Sequence, residues 1–172
     1  MSRPEPAEYD PYYERYISLV PEEGVVDVLA HQRKELSHLF HGVSDSIGTF
    51  AYEEGKWTVK EVLSHLIDGE RMFAYRVLRI ARGDMTPIEG FEQDGYIENS
   101  HANKRSISDL LEEFRLLRKA NVIFFRNLKS DDWTRVGIAN NVEVSVRSLA
   151  WIMAGHIRHH VAILKERYFT KS

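Results

Sequence analysis

Between Thr58 and Gly83 the chain spells out one long amphipathic helix with both ends marked, and whatever fold it adopts must cover that stripe. In TVKE, Thr58 can accept from the first turn while Glu61 reaches back, a reciprocal box that satisfies the backbone donors a helix start leaves orphaned. Val59, Val62, Leu63, Leu66, Met72, Phe73, Val77, Leu78 and Ile80 continue the apolar face at helical spacing, and Gly83 supplies the stop. The partners are also helical. Val25, Val26, Leu29, Leu36 and Phe40 predict a first helix from Val25 to about His41. The SISD start at Ser106, followed by Leu110, Leu111, Phe114, Leu117, Val122, Phe124, Phe125 and Leu128, predicts a third. Ser145 caps a fourth that runs to about Tyr168. With little strand signal elsewhere, the expected class is all-α, a four-helix bundle in which each stripe covers its neighbours.

The segments between the helices set the topology. Residues 83 to 105 hold three glycines and a proline without helical or strand periodicity, and predict a long connection of the kind that lines a binding mouth. At ~3.3 Å per residue it can run back along a helix of ~36 Å and start the third helix parallel to the second. The link to the fourth helix is shorter, so the fourth should run antiparallel to the second. Around Asn140 and Asn141 the stretch TRVGIANNVEVSV alternates and is rich in β-branched residues, which allows a tiny hairpin between helices three and four. Pro4, Pro6, Pro11 and Pro21 with Tyr9, Tyr12, Tyr13 and Tyr16 predict an irregular arm over residues 1–24, packed by aromatics. At 172 residues the whole chain, 1–172, reads as one domain.

Composition excludes several function classes. Lys and Arg number 23 against 26 Asp and Glu, a net charge of -3 with no long basic block, which disfavours nucleic acid as a partner. No apolar run approaches the ~18 residues of a membrane span, and MSRPEPAEYDPYYERY lacks a signal peptide's hydrophobic segment, so a soluble cytoplasmic protein is expected. Cysteine is absent, which removes disulfides, thiolate ligands and a cysteine nucleophile. Any thiol chemistry must come from a bound small molecule.

The chemistry-bearing feature is AGHIRHHVAILKERY, residues 154 to 168, where three of the eight histidines fall within five positions of an otherwise apolar helix. His156 and His160 differ by only ~40° around the helix and share the stripe of Leu149, Ile152, Met153 and Ile163, whereas His159 lies about 100° from His160, nearer the rim. On the second helix His65 faces inward above Gly69 and Met72, and antiparallel helices bring it level with the pair. Spacing alone leaves two readings open: three metal ligands, or core histidines satisfied by backbone and carboxylate partners. The zinc-protease motif HExxH is absent, the sequence reading HIRHH.

With His65 in WTVKEVLSHLIDGERMFAYRVLRIARGD and His156 and His160 in SVRSLAWIMAGHIRHHVAILKERY, the chain resembles the DinB/YfiT-like superfamily of four-helix-bundle metalloproteins. YISLVPEEG, YEEGKWTVKEVL, GFEQDGYIENS and LLEEFRLLRKAN look like landmarks of its damage-inducible-protein branch, and the resemblance runs almost end to end. It implies an up-down-down-up bundle, a His triad for a divalent metal at His65, His156 and His160, and homodimers. Three neutral imidazoles suit Zn or Ni and leave coordination positions open. Some members transfer or isomerise through a low-molecular-weight thiol such as bacillithiol or mycothiol; others are labelled hydrolases.

The expectation is a metal-dependent thiol S-transferase acting on a small-molecule substrate through metal-bound thiolate. The alternatives are a hydrolase using metal-bound hydroxide and a non-catalytic, stress-associated metal- or ligand-binding dimer. Glu61 and Asp68, one turn either side of His65, are candidates to orient the imidazoles. Asp94 and Tyr96 in the long connection are candidates to meet substrate, and Trp57, Trp133 and Trp151 are expected to pack the core and bundle ends.

Overall fold

The computed structural model describes residues 1–169. Four long helices form the frame: α1 (Val25–Leu39), α2 (Val59–Ala81), α3 (Ile107–Arg126) and α4 (Val146–Ile163), the last continued by a wider π-type turn, Leu164–Tyr168. Their starts are the ones the sequence marks. Thr58 and Glu61 form the reciprocal capping box of α2, Ser106 Oγ accepts from the Asp109 amide at α3, and Ser145 Oγ accepts from the Ser148 amide at α4. The first helix ends at Leu39, two residues earlier than the sequence suggests, with Phe40 as its buried cap.

Each of α3 and α4 packs against both α1 and α2, leaving α1 diagonal to α2. Directions follow from the contacts. Arg126 near the end of α3 pairs with Asp27 near the start of α1, so these two are antiparallel. Arg71 of α2 pairs with Glu113 of α3, and Arg82, just past α2, lies 5.3 Å from the ring of Phe124 of α3, so α2 and α3 run parallel. His65, in the first half of α2, meets His156 in the second half of α4, which makes that pair antiparallel. The result is an up-down-down-up bundle.

Mid-height, one polar network ties all four helices together. Arg118 of α3 donates from Nε and Nη2 to the two carboxylate oxygens of Glu70 of α2, at 2.7 Å each, and from Nη1 to Oε1 of Gln32 of α1 at 2.7 Å. Gln32 Nε2 donates to the carbonyl oxygen of Ala154 of α4 at 2.7 Å, and Asn121 Nδ2 donates to Glu70 at 2.7 Å. Apolar clusters fill the space on either side of it, one built around Trp151, Phe125 and Trp133, the other around Leu66, Phe114 and Leu110. Trp133 stacks on Phe125 at 5.5 Å, and Trp151 is fully buried, in line with a packing role for both.

The hairpin is present. Strands β1 (Val136–Ala139) and β2 (Val142–Ser145) pair antiparallel through a turn at Asn140 and Asn141, whose φ values of 55° and 62° give the left-handed pair that a two-residue hairpin of this hand requires. The long connection is more structured than its sequence suggests. It leaves α2, hooks Ile88 onto the hairpin (Ile88 N–H donates to the Ile138 carbonyl oxygen at 2.9 Å), and folds a seven-residue helix, Gln93–Asn99, and a 3₁₀ turn, Ala102–Lys104, before α3. Periodicity could not reveal that short helix, because Ile97 is its sole buried residue.

The arm is strapped along α4. Tyr16, Ile17 and Val20 are buried, Arg147 pairs with Glu8, and Arg158 donates to Glu22 at 2.7 Å and to the Leu19 carbonyl oxygen at 2.7 Å. Close approach depends on Gly155, where a Cβ would lie 2.0 Å from the Tyr16 carbonyl oxygen. Among the described residues, no helix is long and apolar enough to cross a membrane.

Candidate metal centre

The fold brings His65, His156 and His160 together. Their ring centroids form a near-regular triangle with sides of 4.9, 4.8 and 4.6 Å. One ligand atom from each falls within 4.8 Å of the others, and Nε2 of His65 lies 2.9 Å from Nε2 of His156. A tetrahedral site with metal–nitrogen bonds of about 2.1 Å sets its nitrogens about 3.4 Å apart, so small ring rotations suffice for the three to share a cation. The donor chemistry agrees. Burial holds His65 down at about 4 and His160 at about 3, and pulls His156 well below the usual imidazole range, with the neighbouring histidines adding to each shift. All three are therefore neutral at pH 7, the form that ligates.

Aromatic packing fixes the rings where carboxylates often do. Trp57 lies 4.9 Å from His65, and Tyr16 and Phe73 each meet His156 edge-on at 5.6 Å. Gly69 makes room for His156, since a Cβ there would stand 3.1 Å from its Cε1. Neither carboxylate singled out in the sequence is hydrogen-bonded to a triad ring. Glu61 accepts from the Thr58 amide at 2.7 Å as part of the helix cap and from Asn103 Nδ2 at 2.9 Å, so both oxygens are occupied. Asp68 points away into a cleft with Arg71 and Glu113, and burial pushes its carboxyl up. His159 packs against Tyr16 at 5.4 Å and stays outside the cluster, which contains no carboxylate.

Two cavities reach the cluster from different sides. The first, about 200 Å³, is lined by His65, His156, Gly69, Phe73, Arg76, Phe91, Gln93 and Asn140, and by Tyr12, Tyr13 and Tyr16 of the arm. The second, about 330 Å³, is lined by His160, Trp57, Lys56, Tyr52, Tyr168 and Asp94. Asp94 thus stands on the wall of a cavity that touches the triad, while Tyr96 turns away, half exposed against Phe91 at 5.1 Å. The sequence reading missed the arm tyrosines and Arg76. Trp57, expected mainly to pack with ligand stacking as the lesser alternative, walls a cavity and backs His65. The inward register of Arg76 with His65 was the available signal, masked by the expectation that a charged residue faces water.

The sequence profile of the DinB superfamily matches residues 29–164, which span all three histidines and every bundle helix except the first turn of α1. The chain belongs to the DinB superfamily. A Bacillus pumilus (strain SAFR-032) relative, named provisionally as a metal-dependent hydrolase, is 26% identical over 147 residues, covering 84% of this chain and 83% of its own. Among solved structures the DinB fold recurs in YfiT from Bacillus subtilis, described as a probable metal-dependent hydrolase with an unusual four-helix bundle topology. That likeness has a TM-score of 0.76 and 18% identity over 89% of this chain and 95% of YfiT. The mycothiol-dependent maleylpyruvate isomerase is similar at a TM-score of 0.68 and 15% identity, over 85% of this chain and 61% of the isomerase. At these identities the two structures speak for the shared fold.

Proposed function

We propose that this DinB-superfamily protein is a metal-dependent enzyme that joins a low-molecular-weight thiol to a small electrophile. The observation that carries the reading is the position of the triad, met by separate cavities from two sides, an arrangement suited to two reactants. His65, His156 and His160 would hold a divalent ion, Zn or Ni by the chemistry of three neutral imidazoles. Such an ion, when bound, lowers the pKa of a water or thiol at its open position and so supplies a nucleophile near neutral pH. The chain has no cysteine, so the sulfur must be imported. The protein's own residues position the reactants. Tyr12, Tyr13, Tyr16, Phe73 and Phe91 shield one side from water, and Trp57 and Tyr168 shield the other, which holds the two molecules in near-attack contact. In the transfer the thiol gives up its proton to solvent water, sulfur bonds the electrophilic carbon, and the leaving group departs with its electron pair.

A second reading, thiol-independent hydrolysis, is favoured by the name of the Bacillus pumilus relative. The reaction assay separates the two. Protein purified without chelator or His tag is tested for conjugation of several thiols to monobromobimane, and for hydrolysis of p-nitrophenyl acetate without thiol. The transferase reading expects metal-dependent conjugation that His156→Ala abolishes together with the bound metal. Metal-dependent ester hydrolysis with no thiol effect would overturn it in favour of the hydrolase, and protein that carries no divalent metal would overturn both. The homodimer implied by the family resemblance is part of this proposal, and light scattering at the mass of a 20.0 kDa monomer would remove it.

A further inference from the structure

Helix α2 aims a second functional group into the first cavity. Arg76 follows His65 by eleven residues, which at 100° per residue returns it to within about 20° of the same face, with Gly69 and Phe73 in between. Its side chain is only 4% exposed, yet among the described residues no carboxylate lies within ion-pair distance of it. Nε has no hydrogen-bond partner. The guanidinium meets the Phe73 ring at 5.9 Å, a distant Glu89 carbonyl oxygen at 3.5 Å and the Tyr13 side chain. Arg118 provides the contrast within the same bundle: equally buried, it is saturated by Glu70 and Gln32. A guanidinium stays charged in proteins, and burying that charge is costly unless an anion pairs with it.

We propose that Arg76 anchors an anionic oxygen group, a carboxylate or phosphate, of the small molecule that fills the first cavity, and so makes this protein selective for anionic substrates. The proposal rests on the reading of the triad as a reaction centre and names the substrate class it serves. The planar guanidinium fork can pair two oxygens at once, and Arg76 lines the cavity, where a small rotation of its side chain would turn the buried, unpaired Nε–H toward a bound anion. Arg76 sits three turns from His65, so a bound molecule would place its anionic end at Arg76 and its reacting end at the triad. The aromatic walls between them suit a flat or apolar body.

The test uses chelator-treated protein at pH 8, so that neither metal nor thiol enters the measurement, with benzoate, phenylphosphate and neutral benzamide as probes in calorimetric titrations. Benzoate or phenylphosphate should bind at least tenfold more tightly than benzamide, the stronger of the two identifying the anion, and Arg76→Gln should reduce that preference to near unity. In ¹⁵N-arginine-labelled wild type, an Nε–H resonance should shift with the preferred anion and not with benzamide, a readout that does not require the variant to fold. Equal binding of anion and benzamide, a preference retained in the folded variant, or no Nε–H shift would overturn the proposal. No anion preference in the wild type beside intact conjugation would overturn this inference alone; a wild-type preference beside absent conjugation would overturn the transferase reading alone.

Discussion

Replacing Arg118 by methionine strips the guanidinium from a carboxylate that has nowhere else to turn. Arg118 is 0% exposed and Glu70 2%, and two of the three hydrogen bonds Glu70 accepts come from Arg118, the third from Asn121 at 2.7 Å. Removing one partner of a buried, fully hydrogen-bonded ion pair typically costs about 3–5 kcal/mol, because the remaining charge stays desolvated. In a chain of this length each kcal/mol moves the melting temperature by roughly 2–4 °C, so the variant should melt roughly 6–20 °C lower. The double variant Arg118→Met/Glu70→Met removes both charges and leaves the amides of Gln32 and Asn121 short of partners, at about 1–3 kcal/mol each. It should therefore be less destabilised than the sum of its two single variants by several kcal/mol. Urea unfolding of chelator-treated protein, followed by far-UV circular dichroism, measures all four corners of the cycle. A single variant within about 1 kcal/mol of wild type, or strictly additive losses, would refute the argument that this network is what fastens the four helices at mid-height.

Two further outcomes follow from local geometry. Gly155→Ala puts a methyl group 2.0 Å from the Tyr16 carbonyl oxygen, so the arm must lift. Limited proteolysis should then cut within residues 1–24 far faster than in wild type, while unchanged cleavage would show that the arm tolerates the shift. Tyr168 is pushed up to about 12 by burial, and its hydroxyl donates to the Trp57 carbonyl oxygen at 2.6 Å. The unfolded phenol titrates near 10, so this stabilisation is complete below pH 10 and is lost as pH rises toward 12. Tyr168→Phe should flatten the decline of urea stability between pH 9.5 and 11.5, and an unaltered slope would assign the decline to other groups.

The helices were legible because their information is local. Thr58, Ser106 and Ser145 announce the starts, and the apolar stripes repeat with the period of the helix they build. The relative directions of the second, third and fourth helices were legible too, from the long connection between the second and third and the shorter link after it, whereas that of the first came only with the family resemblance. His65, His156 and His160 could be brought to one level by counting turns. What escaped was written in long-range contacts. Tyr16 joins the site because Gly155, far along the chain, lets the arm approach. The helix Gln93–Asn99 is capped by Glu92, a residue outside the usual capping set, and buries a single side chain. Arg76 lies in register with His65, but nothing in a sequence distinguishes a buried guanidinium from one bathed in water.

Parallel α2 and α3 oblige the chain to travel back the length of the bundle, and the returning segment passes the reaction end, placing Phe91 and Gln93 at one opening and Asp94 at the other. An up-down-up-down bundle, turned by short loops, would leave the same histidines bare. Here the roof is tied into the walls: Ile88 is bonded to the hairpin and buried in the apolar core, Ile97 and Ala102 are buried against the bundle, and Asn103 donates to Glu61. The segment that outlines both openings is therefore held by the same interior packing as the helices, which couples the shape of the site to the stability of the fold.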